Sequence, residues 1–261
     1  MITPTVCIKI GGRVAADETA FAAFADDVAA LFGDYLFVLV HGGGADVSRV
    51  SRLLSLEPRF EDGIRMTSEE EMDVVDMVLA GKVNKHMVRS LYRKELLPVG
   101  ISGTDGALVR GESMGGNSRT GKPTEVDPRL VEHLLAARML PVIAPVAMDK
   151  DGLALNINAD DVALAVAGSV RAEALVFISD IPGILREGHV ITDMTPAEAE
   201  EEITSGVITG GMIPKVRASA GALHSGVSRV VIGGYDKHGD LQALLSGESG
   251  TTMHRRDQRG E

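Results

Sequence analysis

The chain has 261 residues, of which 44% are hydrophobic and 24% charged, so it is long enough for one large α/β domain or two closely packed lobes. Its formal net charge of −11 at pH 7 argues against a nucleic-acid partner or an anionic membrane surface, because both would repel it. The N-terminus lacks the pattern of a secretory signal, and no apolar run approaches the roughly 20 residues that span a bilayer. We therefore expect a cytoplasmic protein.

Short apolar runs alternate along the chain with longer segments rich in alanine and leucine. The single cysteine, Cys7, lies in the first run and is expected in a buried strand. The alternation is the βαβα rhythm of a mostly parallel sheet covered by helices. It predicts strands at VCIKI, FVLV, 97–101, 140–144, 175–178 and 229–232, and helices over 18–32, 45–54, 72–92, 128–137, 159–170, 196–205 and 215–225.

Two glycine-rich turns follow the first two predicted strands. The first is KIGG at Lys9 to Gly12, and the second is HGGG at His41 to Gly44, which precedes a helix. Backbone N–H groups of such turns can approach an anion closely, and the helix dipole adds to the attraction. A tight structural turn needs glycine as well. Because two such turns follow neighbouring strands, we favour phosphate or oxyanion binding.

Three later segments also place polar residues at the ends of predicted elements. In NINADD, Asn156, Asn158 and Asp160 alternate ahead of a helix, so they either converge on one ligand or cap that helix. In SDIPG, Ser179 and Asp180 end a buried strand, where open α/β sheets bind ligands. The segment TGGMIPK brings a glycine pair and Lys215 to a helix start, which suits phosphate.

The segment 110–125, GESMGGNSRTGKPTE with its flanking Arg110, is rich in glycine and serine. It is compatible with a hairpin, with a mobile lid over a site, or with a plain surface loop.

Taken in order, KIGG, HGGG, DGIRMTS, DMVLAGKVNK, GISGTDG, LPVIAP, NINADD, SDIPGIL and GGMIPKV resemble the acetylglutamate kinase branch of the amino-acid kinase family. The resemblance runs from Lys9 to about Thr252. It implies an α/β fold, an open αβα sandwich with a mostly parallel central sheet. It also implies a single domain over 1–261, with acyl-acceptor binding in a lobe of residues 1–150 and ATP binding in a lobe of residues 151–261.

The reaction that the resemblance implies is transfer of the ATP γ-phosphoryl group to the side-chain carboxylate of N-acetyl-L-glutamate, in arginine biosynthesis. Lys9 and Lys215 would flank the phosphoryl group, Asp160 would hold both lysines, and Gly12 and Gly44 would supply N–H donors. Flanking cations and N–H donors stabilise the charge of such a transition state.

The resemblance assigns the remaining site residues as well. Arg65 would pair with the substrate α-carboxylate through two parallel hydrogen bonds, although it could instead be a solvated charge ahead of an acidic run. The substrate set comprises Gly43, Gly44, Arg65 and Asn156. The nucleotide set comprises Lys9, Gly11, Ser179, Asp180, Gly183, Gly210, Gly211, Met212 and Lys215.

No spacing typical of a protein metal site is visible, so Mg²⁺ is expected to arrive with ATP. The partners are therefore small molecules, N-acetyl-L-glutamate and ATP, with neither nucleic acid nor membrane among them. Only four residues precede the first strand, whereas arginine-inhibited relatives carry an extra helix there. The resemblance thus favours a homodimer over a hexamer.

Two alternatives stay open at this point. Arg119-Thr120-Gly121 and LLSGESGTT also resemble the branch that phosphorylates aminoadipate or glutamate attached to an amino-group carrier protein, and free N-acetylaminoadipate is an intermediate possibility. A non-catalytic amino-acid-binding regulator on the same fold is less favoured, because both lysines and the aspartate are present.

Overall fold

The computed structural model describes residues 3–61, 63–116 and 118–255. Its strands are β1 (Thr5–Ile10), β2 (Leu36–His41), β3 (Phe60–Glu61), β4 (Ile64–Arg65), β5 (Pro98–Ser102), β6 (Val109–Ser113), β7 (Thr120–Val126), β8 (Leu140–Ala144), β9 (Val146–Met148), β10 (Ala154–Ile157), β11 (Ala174–Ser179), β12 (Leu185–Arg186), β13 (His189–Val190), β14 (Asp193–Met194), β15 (Arg229–Gly234) and β16 (Thr251–His254).

The helices alternate with these strands. They are α1 (Gly12–Ala16), α2 (Glu18–Leu31), α3 (Gly44–Leu53), α4 (Glu69–Val75), α5 (Asn84–Tyr92), α6 (Arg129–Ala136), α7 (Ala159–Ser169), α8 (Pro196–Thr204), α9 (Met212–His224) and α10 (Asp240–Ser246). A π-helical segment, Asp76–Val83, joins α4 to α5, and a 3₁₀ turn covers Asp105–Ala107. Among the described residues, no helix combines the length and apolarity needed to cross a membrane.

The central sheet has eight strands in the order β14-β16-β15-β11-β1-β2-β8-β5. The six strands from β15 to β5 run parallel, and β16 is antiparallel to β15. The expected mostly parallel sheet is therefore confirmed. Strand β1 lies between β2 and β11, and Lys9 is in register with Phe177. Strands from both halves of the chain thus form one sheet, with their carboxyl ends at a shared edge.

Helices cover both faces of this sheet, which confirms the αβα sandwich. Alternate residues of β1 enter two separate cores: Val6, Ile8 and Ile10 join one, and Cys7 joins the other. Helices α2, α3, α5 and α10 contribute to the first core, and α6, α7, α8 and α9 to the second. Cys7 is fully buried as expected, and its burial raises the pKa of the thiol to about 12.

A second, smaller sheet closes on itself in the order β10-β7-β6-β9. Its strands β6 and β7 form an antiparallel hairpin, so the glycine- and serine-rich segment 110–125 is the hairpin of the three possibilities. Asn117 lies outside the described residues. Two further two-stranded pairs, β3–β4 and β12–β13, complete the strand pairing of the described residues.

Two of the predicted helices begin earlier in the structure than expected, and the first of them is not α-helical throughout. The helix expected over 72–92 begins at Glu69, because the Ser68 side chain accepts a hydrogen bond from the Glu71 N–H and caps it. It also contains the π-helical segment, which apolar periodicity did not reveal. The helix expected over 215–225 begins at Met212, so Lys215 lies in its first turn.

Candidate active site

One carboxylate and two lysines meet beside the carboxyl ends of the central strands. Lys9, near the end of β1, places its Nζ 2.9 Å from Oδ1 of Asp160. Lys215, in the first turn of α9, places its Nζ 3.3 Å from the other oxygen, Oδ2. The Lys215 ammonium also lies 5.2 Å from the centre of the Phe177 ring, within the range of a cation–π contact. Three residues far apart in the sequence therefore form one cluster, called here the Lys–Asp–Lys triad.

The Lys–Asp–Lys triad is largely shielded from solvent, since its three side chains are 15%, 21% and 17% exposed in chain order. Burial raises the pKa of Asp160, but the nearby charges of Lys9 and Lys215 outweigh this effect and lower the pKa overall. Asp160 is therefore an anion at neutral pH. One negative charge beside two positive charges leaves the triad with a net positive charge, which attracts an anionic ligand.

The start of helix α7 determines the position of Asp160. The Asn158 side chain caps the helix by accepting a hydrogen bond of 2.9 Å from the Asp160 N–H. Because the extended chain ends at this cap, the expected alternation of three polar residues stops there. Asn156 and Asn158 line a cavity, whereas Asp160 turns to the lysines.

The first glycine turn makes room for charged side chains. A Cβ at Gly11 would lie 2.6 Å from the Lys9 Nζ, so a larger residue would displace the ammonium group. Gly12 has φ +55°, and a side chain there would collide with the Asp180 carboxylate. That carboxylate accepts a hydrogen bond of 2.9 Å from the Arg13 N–H. Asp180, expected to contact a nucleotide, thus also holds the first glycine turn against the end of β11.

The second glycine turn leads from β2 into α3. Gly43 has φ +151°, and an added Cβ would lie 2.7 Å from Leu79 of the π-helical segment. Gly44 is the first residue of α3, and nothing lies within 4 Å of the position where its Cβ would be. The first N–H groups of a helix have no partner within the helix, so the start of α3 can donate hydrogen bonds to an anion.

A cavity of about 600 Å³ lies between the two turns and β10. Seven of the sequence-predicted site residues line it, namely Lys9, Gly11, Gly12, Gly43, Gly44, Arg65 and Asn156. The predicted acceptor set therefore shares one cavity with a lysine of the triad. The other predicted residues lie outside that lining; they are Asp160, Ser179, Asp180, Gly183, Gly210, Gly211, Met212 and Lys215.

Arg65 reaches the cavity from a buried position, with 9% of the residue exposed, so the interpretation of a solvated charge is wrong. Its Nη1 lies 2.6 Å from the Glu71 carboxylate. Its Nη2 donates to the Ser48 hydroxyl at 2.5 Å and to the Gly44 carbonyl at 2.9 Å. These partners fix the guanidinium at the start of α3. The sequence did not single out Ser48 or Glu71, and no local spacing connects either residue to an arginine on β4.

Asn156 is fixed by a hydroxyl network that also went unpredicted. Its Nδ2 donates to the Thr67 hydroxyl at 2.8 Å. The Thr120 hydroxyl donates to the Arg65 carbonyl at 2.6 Å and accepts from the Thr67 N–H at 2.9 Å. These hydrogen bonds hold the β6–β7 hairpin against the segment that follows β4. Thr120 itself lines the cavity, so the hairpin contributes to the site.

The residues expected to contact the nucleotide are spread around the ends of β11 and α9. Gly210 has φ +56°, and nothing lies within 4 Å of the Cβ positions of Gly210 or Gly211, which leaves this helix start open. Gly183 is different, because its φ is +152° and a side chain would lie 2.7 Å from Val190. Packing alone accounts for glycine at that position. Ser179 bonds locally with Ile181, at the long distance of 3.4 Å.

Comparison with known proteins decides the family. The profile described as the amino acid kinase family matches residues 4–234. An acetylglutamate kinase from Leptospira biflexa is 40% identical over 94% of this chain and 89% of its own length. An acetylglutamate kinase from Chloroflexus aurantiacus is 43% identical over 88% of this chain and 92% of its own length. The chain belongs to the amino acid kinase family.

Solved structures agree with this fold. The N-acetylglutamate synthase of Neisseria gonorrhoeae, solved with coenzyme A and N-acetyl-glutamate, has a TM-score of 0.85 at 23% identity; the match covers 98% of this chain and 60% of that one. Carbamate kinase from Giardia lamblia bound to AMP-PNP has a TM-score of 0.71 at 15% identity, over 97% and 98% of the two chains. At these identities the likeness shows the amino acid kinase fold alone.

The two neighbouring glycines of the second turn should respond differently to the same substitution. Gly43→Ala should lower the free energy of unfolding by about 2 kcal/mol, because the Cβ would meet Leu79 and the backbone is strained for any side chain at φ +151°. Gly44→Ala is the matched control and should change stability little, since its Cβ enters open space. Urea unfolding of both variants measures the difference. Equal stability of the two variants would contradict this account of the turn.

Proposed function

We propose that this chain is an ATP-dependent kinase that phosphorylates the side-chain carboxylate of N-acetyl-L-glutamate, forming N-acetyl-L-glutamyl 5-phosphate in arginine biosynthesis. The observation that carries the proposal is the Lys–Asp–Lys triad beside the cavity that holds the predicted acceptor residues. Relatives named acetylglutamate kinase, 38–43% identical over most of their length, support the choice of substrate.

In this reaction a carboxylate oxygen of the acceptor attacks the γ-phosphorus of ATP, and the bond from that phosphorus to the bridging oxygen of ADP breaks. Lys9 approaches from the cavity and Lys215 from the start of α9, so the two ammonium groups stabilise the charge on the transferring group. Asp160 keeps them apart by binding each Nζ to a different oxygen. No covalent intermediate on the protein is required.

The acceptor occupies the cavity in this proposal. Arg65 pairs with its α-carboxylate, using a guanidinium already oriented by Glu71 and Ser48. Asn156 binds the acetylated amino end. The backbone N–H groups of Gly12, Gly43 and Gly44 donate hydrogen bonds. Their acceptors are the oxygens around the phosphoryl group as it moves from ADP to the acceptor carboxylate.

ATP binds on the side of the sheet edge formed by the second half of the chain. Ser179, Asp180 and Gly183 follow β11, and Gly210, Gly211 and Met212 open α9, while Lys9, Gly11 and Lys215 lie between ATP and the acceptor. The start of α9 is an open helix N-terminus, which suits phosphate. In this sense residues 1–150 supply most of the acceptor site and residues 151–261 most of the nucleotide site, in a domain with one shared sheet. Asn156 is an acceptor residue in the second part, and Lys9 and Gly11 are nucleotide residues in the first.

Mg²⁺ enters with ATP in this proposal, and the phosphates hold it. The described residues contain no group of three or more His, Cys, Asp or Glu side chains placed to bind a metal ion. Asp160 fits poorly as a ligand, because its two oxygens already pair with Lys9 and Lys215. The chain's own residues therefore contribute charge and hydrogen bonds to the reaction, and no step is assigned to a protein-bound metal.

The carrier-bound alternative is less well supported by the hairpin. Arg119, part of the motif that resembles the carrier-dependent branch, is 19% exposed and pairs with Glu69 at 2.7 Å. Its backbone N–H and carbonyl bond Thr67 and Asn156, both at 2.8 Å. These contacts give Arg119 a role in holding the hairpin. The alternative of a non-catalytic amino-acid-binding regulator is also less favoured, because binding an amino acid does not require the Lys–Asp–Lys triad.

A cytoplasmic homodimer completes the proposal, in keeping with the biosynthetic role of the named relatives. Strand β5 lies at one edge of the central sheet. Beside it, Tyr92 at the end of α5 is 69% exposed and Leu97 is 56% exposed. An edge strand with exposed apolar neighbours suits pairing with a second copy.

Light scattering should therefore give a mass of about 55 kDa, twice the 27.5 kDa of one chain. Tyr92→Glu should shift the protein toward the monomer, because a charge at a buried interface is costly. Leu153→Glu is the control, since Leu153 is 47% exposed and directly precedes β10, a strand of the smaller sheet. A monomer at micromolar concentration, or a hexamer, would be inconsistent with this assembly.

The reaction itself is tested by hydroxamate formation with purified protein, ATP, Mg²⁺ and hydroxylamine, which traps an acyl phosphate. N-acetylglutamate should give clearly more hydroxamate than N-acetylaminoadipate, glutamate or aspartate. Omission of the acceptor is the control for ATP hydrolysis. Binding of ATP without hydroxamate from any free acid would reject the proposed substrate and favour a carrier-bound one.

Asp160→Asn should lower kcat by about 100-fold, because the uncharged amide no longer separates the two ammonium groups. The KM for ATP should stay similar or fall, since the positive charge of both lysines remains. Asp161→Asn is the matched control, because this neighbour on α7 is paired with neither lysine. A raised KM for ATP with unchanged kcat would argue that Asp160 serves nucleotide binding instead.

A further inference from the structure

A buried histidine lies directly beneath the second glycine turn. His41 ends β2 and is 0% exposed. Its Nδ1 lies 2.8 Å from the carbonyl oxygen of Gly42, the next residue. Its Nε2 lies 3.2 Å from Nδ2 of Asn84, which is also 0% exposed. The ring therefore connects the glycine turn to the first residue of α5.

The partners of Asn84 determine which ring nitrogen carries the proton. Asn84 Nδ2 lies 2.8 Å from the carbonyl oxygen of Val142 and 3.3 Å from that of Ile101, so its two hydrogens are shared among these oxygens and the His41 ring. Its Oδ1 accepts from the Lys85 ammonium at 2.9 Å. With the amide fixed in this orientation, Nε2 of His41 faces a donor and must be an acceptor. The proton is then on Nδ1, which donates to the Gly42 carbonyl.

The ring is neutral for reasons that agree with this geometry. Burial lowers the pKa of His41 to about 4, the hydrogen bond to the Gly42 carbonyl acts in the opposite direction, and the Lys85 charge lowers it further. At neutral pH the ring is therefore uncharged and carries one N–H, as the contacts with Asn84 and Gly42 require.

The π-helical segment explains how Asn84 reaches this position. Its i→i+5 hydrogen bonds widen the helical turn, so residues four and five apart face the same way. Leu79 and Val83 lie 2.7 and 3.3 Å from where a Gly43 side chain would be. Asn84, five residues after Leu79, contacts the histidine. One wide turn thus supports the glycine turn both sterically and through a hydrogen bond.

The bond to Gly42 determines the direction of the next N–H group. In a trans peptide the carbonyl and the following N–H point in opposite directions. Because His41 holds the Gly42 carbonyl on the buried side, the Gly43 N–H is directed to the opposite side, toward the cavity that Gly42, Gly43 and Gly44 line. A donor fixed before the reaction stabilises developing charge better than one that must reorient.

We propose that His41, held by Asn84, is a positioning residue that orients the Gly42–Gly43 peptide so that the Gly43 N–H stabilises the phosphoryl transfer. The inference rests on the proposed function for its chemistry and on the described contacts for its geometry. His41 touches neither substrate nor ATP in this arrangement, so it acts through the peptide.

Two amide substitutions of His41 distinguish the role of Nδ1 from that of Nε2. In His41→Asn, the side-chain NH₂ takes the place of Nδ1 and can still donate to Gly42, whereas in His41→Gln it takes the place of Nε2 and cannot. We expect His41→Gln to lower kcat by about 100-fold with KM values within about threefold of wild type. His41→Asn should keep kcat within about tenfold of wild type.

His254→Gln is the matched control, because this second buried histidine, 7% exposed on β16, lies away from the turn. It should lower the melting temperature about as much as the His41 variants and leave kcat unchanged. Equal kcat losses in His41→Asn and His41→Gln would overturn the proposal, as would a loss that appears only in KM or that merely follows the melting temperature.

Imidazole ¹⁵N spectra supply a readout that does not depend on turnover. The His41 signal is the one missing from the His41→Asn spectrum among the chain's 7 histidines. A neutral Nδ1–H ring at pH 7 supports the proposed role of His41 as a positioning residue. This holds even if the wild-type protein forms no hydroxamate, because the absence of hydroxamate would reject only the proposed function. An Nε2–H ring, or a ring that titrates near the ordinary pKa of 6.5, would overturn the inference.

Discussion

The carboxylate of Asp160 lies between two ammonium groups that arrive from opposite ends of the chain, and the rest of the site is arranged around this contact. Two lysines so close together would repel each other strongly in a partly dry site. Each Nζ instead pairs with its own oxygen, at 2.9 Å for Lys9 and 3.3 Å for Lys215. The triad therefore holds β1 and α9 to the start of α7 and keeps a net positive charge beside the cavity.

The central sheet makes this contact possible. Because β1 lies between β2 and β11 and all three run parallel, the turns that follow them meet at one edge. Lys9 is in register with Phe177, whose ring lies beneath the Lys215 ammonium. The lysine from β1 and the lysine from α9 are thus positioned by adjacent strands. The cavity lies on the β2 side of this edge, and the start of α9 lies on the β11 side.

Much of this could be predicted from the sequence, because the signals were local. Apolar runs marked the central strands, and the glycine turns and Lys9 followed from their place after a strand. The convergence of Lys9, Asp160 and Lys215 came from family resemblance, since no spacing links residues so far apart. The partners Ser48 and Glu71 of Arg65, and the π-helical turn that brings Asn84 to His41, stayed hidden. They depend on tertiary packing, and a π-helical turn leaves no clear mark in apolar periodicity.

The glycines of the two turns are required for different physical reasons, and this limits what the motifs alone can indicate. Gly11 leaves space for the Lys9 ammonium, Gly12 for the Asp180 carboxylate, and Gly43 for Leu79, whereas only Gly44 of these four faces open space. Three of them thus serve the packing of neighbouring side chains against the turn. A cluster of glycines after a strand is therefore weak support for an anion site by itself. Here the support comes from the surrounding groups, because Asp180 and His41 fix the backbone of the two turns and the triad supplies the charge that they face.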